Sequence, residues 1–165
     1  MMALTAALSF GFVQAGAEDL PREATLPLAL AGKAASAAVE KCKQDGYRVS
    51  VAVVDRAGVL KAQMRADGAG PHTIGSSSKK AYTAASLRRP TGEIAEMAAK
   101  MPAVQGLRDM DEKILILGGG LPIEIDGEVV GGIGVGGAPG GHLDEACAAA
   151  GLNSIGATVK APAGK

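Results

Sequence analysis

The chain has 165 residues, enough for one domain with a real core, since domains commonly run to roughly 100–200 residues. Seventeen basic and seventeen acidic side chains cancel, so the charge gives no indication of a broad nucleic-acid or anionic-membrane surface. With no Trp, two Tyr and two Phe, base-stacking platforms are not expected, and small aliphatic residues must fill the core.

The N-terminal segment "MMALTAALSFGFVQAGA" carries no charge and ends in small residues directly before Glu18 and Asp19. This pattern is typical of a secretory signal peptide, although the usual Lys or Arg before the apolar run is missing, and an apolar N-terminal arm is the alternative. This apolar run is too short for a membrane span, which would need about 20 apolar residues. We predict a signal peptide at 1–17, a single domain at 18–157, a flexible tail at 158–165, and export to the periplasm or the cell exterior.

The first half of the domain is expected to contain three helices and a hairpin. The segment "TLPLALAGKAASAAVEKCKQDGY" has apolar residues at helical spacing, with Thr25 as a cap and Gly46 as a stop. Two β-branched runs then flank the turn at 55–58 and predict a hairpin. A second helix is predicted at about 74–88, and Thr91 would cap a third, "GEIAEMAAKM".

The second half is expected to return to strands. The stretch "EKILILGGGLPIEIDGEVVGGIGVGG" predicts three strands, with Asp126-Gly127 as a tight hairpin turn, and "LDEACAAAGLNSI" predicts a closing helix. Hairpin connections indicate antiparallel pairing. The predicted fold is therefore α+β, with a five-stranded antiparallel sheet covered by helices on both faces.

A glycine run near the last strand matches G-x-G-x-x-G at Gly132, Gly134 and Gly137. The nucleotide fingerprint requires a strand–helix turn of a βαβ unit and an acidic residue about 20 positions later, and this context is missing. The glycines are better explained by close approach of a helix, a neighbouring subunit or a flat ligand. Cys42 and Cys147 have no metal-site spacing; they could pair in an oxidising compartment or remain two separate buried thiols.

The two histidines are the candidate chemical groups. His72 follows the loop "GAGP" and begins a helix whose first amides could receive an anion, and His142 begins the last helix. A neutral imidazole beside apolar surface, with cations nearby, suits haem, which needs an axial nitrogen and partners for its propionates. A solvated loop histidine is the alternative in both cases. Neither a hydrolase elbow nor a zinc-ligand set is present in the sequence.

Several blocks, in order, resemble the GlcG/HbpS haem-binding family (DUF336), which is related to the C-terminal domain of PduO-type proteins. They are "VSVAVVDRAGVLKAQMRADGAGPHT", "KKAYTAAS", "GGGLPIEIDGEVVGGIGVGG" and "DEACAAAGL", and the resemblance runs from about Thr25 to Ile155. It implies a five-stranded antiparallel sheet of the profilin-like or roadblock-like kind, assembly into homo-oligomers, and haem binding, in some relatives through a histidine. One branch is exported and serves redox sensing beside a sensor kinase, and other members are encoded with glycolate or diol metabolism.

The resulting hypothesis is an exported haem-binding protein, more a non-catalytic carrier or redox-sensing accessory than an enzyme. His72 would ligate the haem iron, with His142 as the second choice, Ala69 and Tyr82 in the shell, and the propionates met by Lys79, Lys80 or Arg88. Expected partners are haem or a small molecule, further copies of the chain and a sensor protein, without nucleic acid or a membrane span. The alternatives are a small organic-acid binder or enzyme using His72 as acid or base, and a purely structural oligomeric module.

Overall fold

The structure, a computed structural model, describes residues 22–159. The predicted signal peptide lies outside these residues, and of the predicted tail only Thr158 and Val159 lie within them. The elements in chain order are α1 (Leu28–Gln44), β1 (Ser50–Asp55), β2 (Leu60–Arg65), α2 (His72–Leu87), α3 (Thr91–Lys100), a 3-10 helix (Pro102–Asp109), β3 (Gly120–Ile125), β4 (Glu128–Gly136) and α4 (Gly141–Ser154).

The sheet of the described residues has four strands in the order β2-β1-β4-β3, and every neighbouring pair is antiparallel. The α+β class and the antiparallel pairing are therefore confirmed, but the prediction of five strands is wrong. The stretch "EKILILGGGLPIEIDGEVVGGIGVGG" contains two of its three predicted strands, and the one that is missing is the first, at 114–117. There the amide of Leu115 donates to Oγ1 of Thr83 at 2.8 Å, and Ile116 packs against α3. The Leu115 amide thus binds a side chain of α2, whereas in a strand it would bind the backbone of a neighbouring strand.

Helices cover both faces of the sheet, as predicted, because side chains alternate along the strands. Val51 and Val53 of β1, with Ile133 and Val135 of β4, belong to the main core beneath α1 and α4. The opposite face of β1 meets α2 through small residues only, in a cluster made of Ala52, Val54, Ala81 and Ala85.

The glycine run allows α2 to lie directly on β4. Gly132, Gly134 and Gly136 alternate along the strand on the side that faces α2. A Cβ at Gly134 would overlap the carbonyl oxygen of Ser77 and the amide nitrogen of Ala81, both backbone atoms that cannot move aside. Of the three explanations open from the sequence, close approach of a helix is the one found.

The two cysteines form a disulfide that joins α1 to α4. Cys42 and Cys147 are fully buried in the main core, 105 positions apart in the chain. Pairing was one of the two outcomes left open by the sequence. The bond fixes α4 to α1, the other helix on the same face of the sheet, and so restricts movement of α4.

Gly134→Ala is expected to destabilise the protein by about 1–3 kcal/mol, because the added methyl group overpacks the contact between α2 and β4. Gly32→Ala is the matched control: Gly32 lies in α1 with no neighbouring side chain or strand within 4 Å of an added Cβ. There, Ala should raise stability by up to about 1 kcal/mol through helix propensity. Urea unfolding of both variants measures the difference; equal effects would contradict the packing role of the glycine run.

Candidate functional site

The start of α2 carries His72, the first choice for the iron ligand, and the amides that the sequence predicts for an anion. His72 is exposed, and it lines neither of the two clefts described below. The amides of Thr73 and Ile74 already donate to the carbonyls of Gly70 and Pro71, so they are not open to an anion. Ala69 is buried, and its carbonyl oxygen accepts hydrogen bonds from the guanidinium of Arg65.

The other site residues predicted on α2 lie in environments that differ from one another. Lys79 is exposed, and Arg88 lies at the exposed end of the helix. The hydroxyl of Tyr82 donates to Oδ2 of Asp111 at 3.0 Å, and the ring packs over Gly58 in the β1–β2 turn. The hydrogen bond to Asp111, with some desolvation, raises the pKa of Tyr82. Of the two clefts described below, Arg88 lines one, and Lys79 and Tyr82 line neither.

Lys80 is buried in an ion pair that connects α2 to α4. Its Nζ lies 2.8 Å from Oδ2 of Asp144 and 2.9 Å from the carbonyl oxygen of Val135, and both charged side chains are less than 5% exposed. The other Asp144 oxygen accepts the amide of Ala138 at 3.0 Å. Burial raises the pKa of the Asp144 carboxyl, although Lys80 and the Ala138 amide act in the opposite direction. Because its ammonium is occupied, Lys80 is not available to a haem propionate.

A cleft of about 590 Å³ lies between α3 and α4. This volume falls within the range of roughly 300–1,000 Å³ that is usual for small-molecule and cofactor sites. Its walls are largely apolar and are provided by Leu121, Met97, Met101, Ala146, Ala149 and Val159. His142, at the start of α4, lies at this cleft. Of the two predicted histidines, the second choice is the one beside a ligand-sized cavity.

Glu145 holds the two walls of this cleft together. Its Oε1 accepts hydrogen bonds from the amide of Gly92, at the start of α3, and from the amide of Gly119, before β3, at 3.0 and 3.2 Å. The carboxylate thus lies at the N-terminus of α3, where the helix dipole favours a negative charge. The amide of Gly120 donates to Oγ1 of Thr91 at 2.8 Å, which fixes the same end of α3. The width of the cleft is thus set by hydrogen bonds.

Charges of both signs surround the apolar walls. Arg89 and Lys100 are the cations lining the cleft, and Glu93, Glu96 and Glu145 are the carboxylates. The guanidinium of Arg89 lies 3.0 Å from the sulfur of Met97, so this cation is directed along the cleft wall. Sequence reasoning missed the role of α3. The available signal was the pair of methionines in "GEIAEMAAKM": both line the cleft, and Met101 is 50% exposed.

A helix-covered antiparallel sheet with a largely apolar cleft defines an α+β domain suited to binding a small ligand. Residues 26–153 match the family model described as "Haem degrading protein HbpS-like", and the chain belongs to this family. Protein GlcG of Escherichia coli strain K12 is 33% identical over 100 residues, covering 61% of this chain and 72% of GlcG. The resemblance found in the sequence is thereby confirmed.

Two solved structures extend the comparison. A double mutant of HbpS from Streptomyces reticuli is 45% identical, with a TM-score of 0.77 and coverage of 88% of this chain and 97% of HbpS. The PduOC:haem complex is 26% identical, with a TM-score of 0.75 and coverage of 82% of this chain and 98% of PduOC. Within residues 22–159, no helix combines the length and hydrophobicity needed to cross a membrane.

Lys80→Met is expected to destabilise the protein by about 3–5 kcal/mol at neutral pH, because it leaves the buried Asp144 carboxylate without its partner. Burial already raises the pKa of Asp144 above its ordinary value of 3.8 in the parent, and the variant loses the opposing effect of Lys80. The penalty should therefore be absent below that value and should grow as the pH rises through the folded-state pKa. Urea unfolding across this pH range measures it.

The control for this experiment is the double variant Lys80→Met/Asp144→Leu. Replacing a whole buried pair by apolar residues is often nearly neutral, so this variant should recover most of the lost stability and lose the added pH dependence. A Lys80→Met deficit that stays constant with pH, or that the second substitution does not relieve, would contradict the assigned pair.

Proposed function

We propose that this protein binds haem in the cleft between α3 and α4. The observation that carries the proposal is the position of His142 at a largely apolar cleft of about 590 Å³. Membership of the HbpS-like family supports it. The similar fold of PduOC, whose structure is a haem complex, supports it further.

The residues of the cleft fit the chemistry of haem. The imidazole of His142 offers an axial nitrogen, apolar side chains can cover the porphyrin faces, and Arg89 and Lys100 can meet the propionates. Met97 offers a thioether in the same cleft. Bound haem would supply iron-centred redox chemistry, and the residues of this chain would bind it, orient it and limit its contact with water.

This proposal replaces His72 by His142 as the iron ligand. His72 is exposed and lies outside both clefts. These observations favour the alternative given in the sequence analysis, that His72 is a solvated histidine. The organic-acid alternative needed open amides at the start of α2, and two of them are already hydrogen-bonded. Neither of these features supports a ligand site at His72.

His142→Ala is expected to weaken haemin binding at least about tenfold, which corresponds to a loss of about 1.4 kcal/mol. The matched variant His72→Ala should leave the affinity unchanged, because its imidazole is remote from the cleft lining. Titration of each purified variant with haemin, followed at the Soret band, measures both effects. Loss of affinity in His72→Ala, with His142→Ala unaffected, would reverse the assignment, and no saturable shift in the parent protein would refute haem binding.

We further propose that the protein works in an oxidising compartment, the periplasm or the cell exterior. The buried Cys42–Cys147 disulfide supports this, because disulfides persist mainly in exported proteins. The uncharged segment at 1–17 supports it independently. Three further points remain predictions: a role as a non-catalytic carrier or redox-sensing accessory, assembly into a homo-oligomer, and a sensor-protein partner. A carrier is expected to keep its Soret band during aerobic incubation.

The chain expressed with residues 1–17 is expected in the periplasm or medium, with no thiol reactive to a thiol reagent after denaturation. The Cys42→Ser variant should show one reactive thiol under the same conditions, which controls for reagent access. Reduction of the parent should lower its unfolding free energy by up to about 4.7 kcal/mol, the order expected for a loop of about 100 residues. Recovery from the cytosol with two reactive thiols would contradict the proposed location.

A further inference from the structure

A second cleft, of about 380 Å³, lies beside the turns that connect β1 to β2 and β3 to β4. Three arginines from separate segments line it: Arg22 before α1, Arg56 in the β1–β2 turn and Arg88 at the end of α2. The remaining lining is Glu23, Gly127, Glu128 and Val129. It shares no residue with the cleft between α3 and α4.

The arginines of this cleft are only partly neutralised. Arg56 lies between two carboxylates, with its nitrogens 3.7 Å from Glu23 and 3.7 Å from Glu128. Both separations exceed the usual 2.7–3.2 Å of a hydrogen bond from nitrogen to oxygen. Within residues 22–159, the side chains of Arg22 and Arg88 make no hydrogen bond or ion pair. The lining therefore has an excess of positive charge and two guanidinium groups with open donors.

The backbone of Arg88 ends α2 in a left-handed conformation. Its φ of 53° and ψ of 38° place it in the left-handed region, which costs most residues about 1–2 kcal/mol. Glycine usually occupies such a position at the end of a helix. Asp126 also has positive φ, but there the Asp-Gly hairpin turn accounts for it. The end of α2 therefore accounts for the left-handed backbone, and the unusual feature is that arginine stands there in place of glycine.

We propose that Arg22, Arg56 and Arg88 bind a small oxyanion of the phosphate class, either free phosphate or the terminal group of a phosphate monoester. Guanidinium groups donate in a planar fork that matches phosphate oxygens, and several of them can surround one such group. Glu23 and Glu128 hold Arg56 between them. This site is independent of haem binding, so either can fail without the other.

The test is calorimetric titration of the full chain with inorganic phosphate at constant ionic strength, with chloride as the reference anion. Saturable phosphate binding is expected, and Arg88→Gly should weaken it at least tenfold. Glycine relieves the left-handed conformation, so this variant should unfold at the same urea concentration as the parent or a higher one. Loss of binding through misfolding is thereby separated from loss of the guanidinium.

Arg108→Gln is the matched control, because it removes an exposed arginine of the 3-10 helix outside this cleft. It should leave phosphate binding unchanged, and the haemin titration of Arg88→Gly should match that of the parent. Tighter binding of glycerol phosphate than of inorganic phosphate would identify a monoester as the ligand, and the reverse would identify the free ion. No saturable heat with either anion, or equal weakening by Arg108→Gln, would overturn the proposal.

Discussion

The buried ion pair between Lys80 and Asp144 is the interaction on which the arrangement of this domain depends. It connects helices from opposite faces of the sheet at the end of β4, where both side chains are almost completely removed from water. Gly119 and Gly120 leave the space that this ion pair occupies. A Cβ at Gly119 would lie 2.7 Å from the Lys80 ammonium nitrogen and 2.8 Å from Cβ of Asp144, and one at Gly120 would lie 2.5 Å from the Lys80 carbonyl oxygen.

The same end of α4 carries the residues that form the ligand cleft. Asp144 is followed by Glu145, whose carboxylate ties the start of α3 and the strand entrance at Gly119 to α4. The disulfide at Cys147 then anchors the helix to α1. His142 therefore lies on a segment fixed by three contacts, which is the support that the proposed iron ligand would require.

Much of the fold could be predicted because local chemistry determines it, as in the Asp126-Gly127 hairpin and the alternating strands. The strand expected at 114–117 could not be excluded locally, since its amide partner, Thr83, is distant in sequence. Lys80 was predicted to meet a haem propionate, although it shares a helical face with the buried Ser77 and Ala84. The cleft itself depends on how α3 packs beside α4, which no pattern within either helix specifies.

The most direct measurement is a crystal structure of the protein with haemin bound. We predict haem between α3 and α4, with its iron bonded to the imidazole of His142 and its propionates directed toward Arg89 or Lys100. Haem seated beside His72, or bound with the cleft between α3 and α4 left empty, would contradict it.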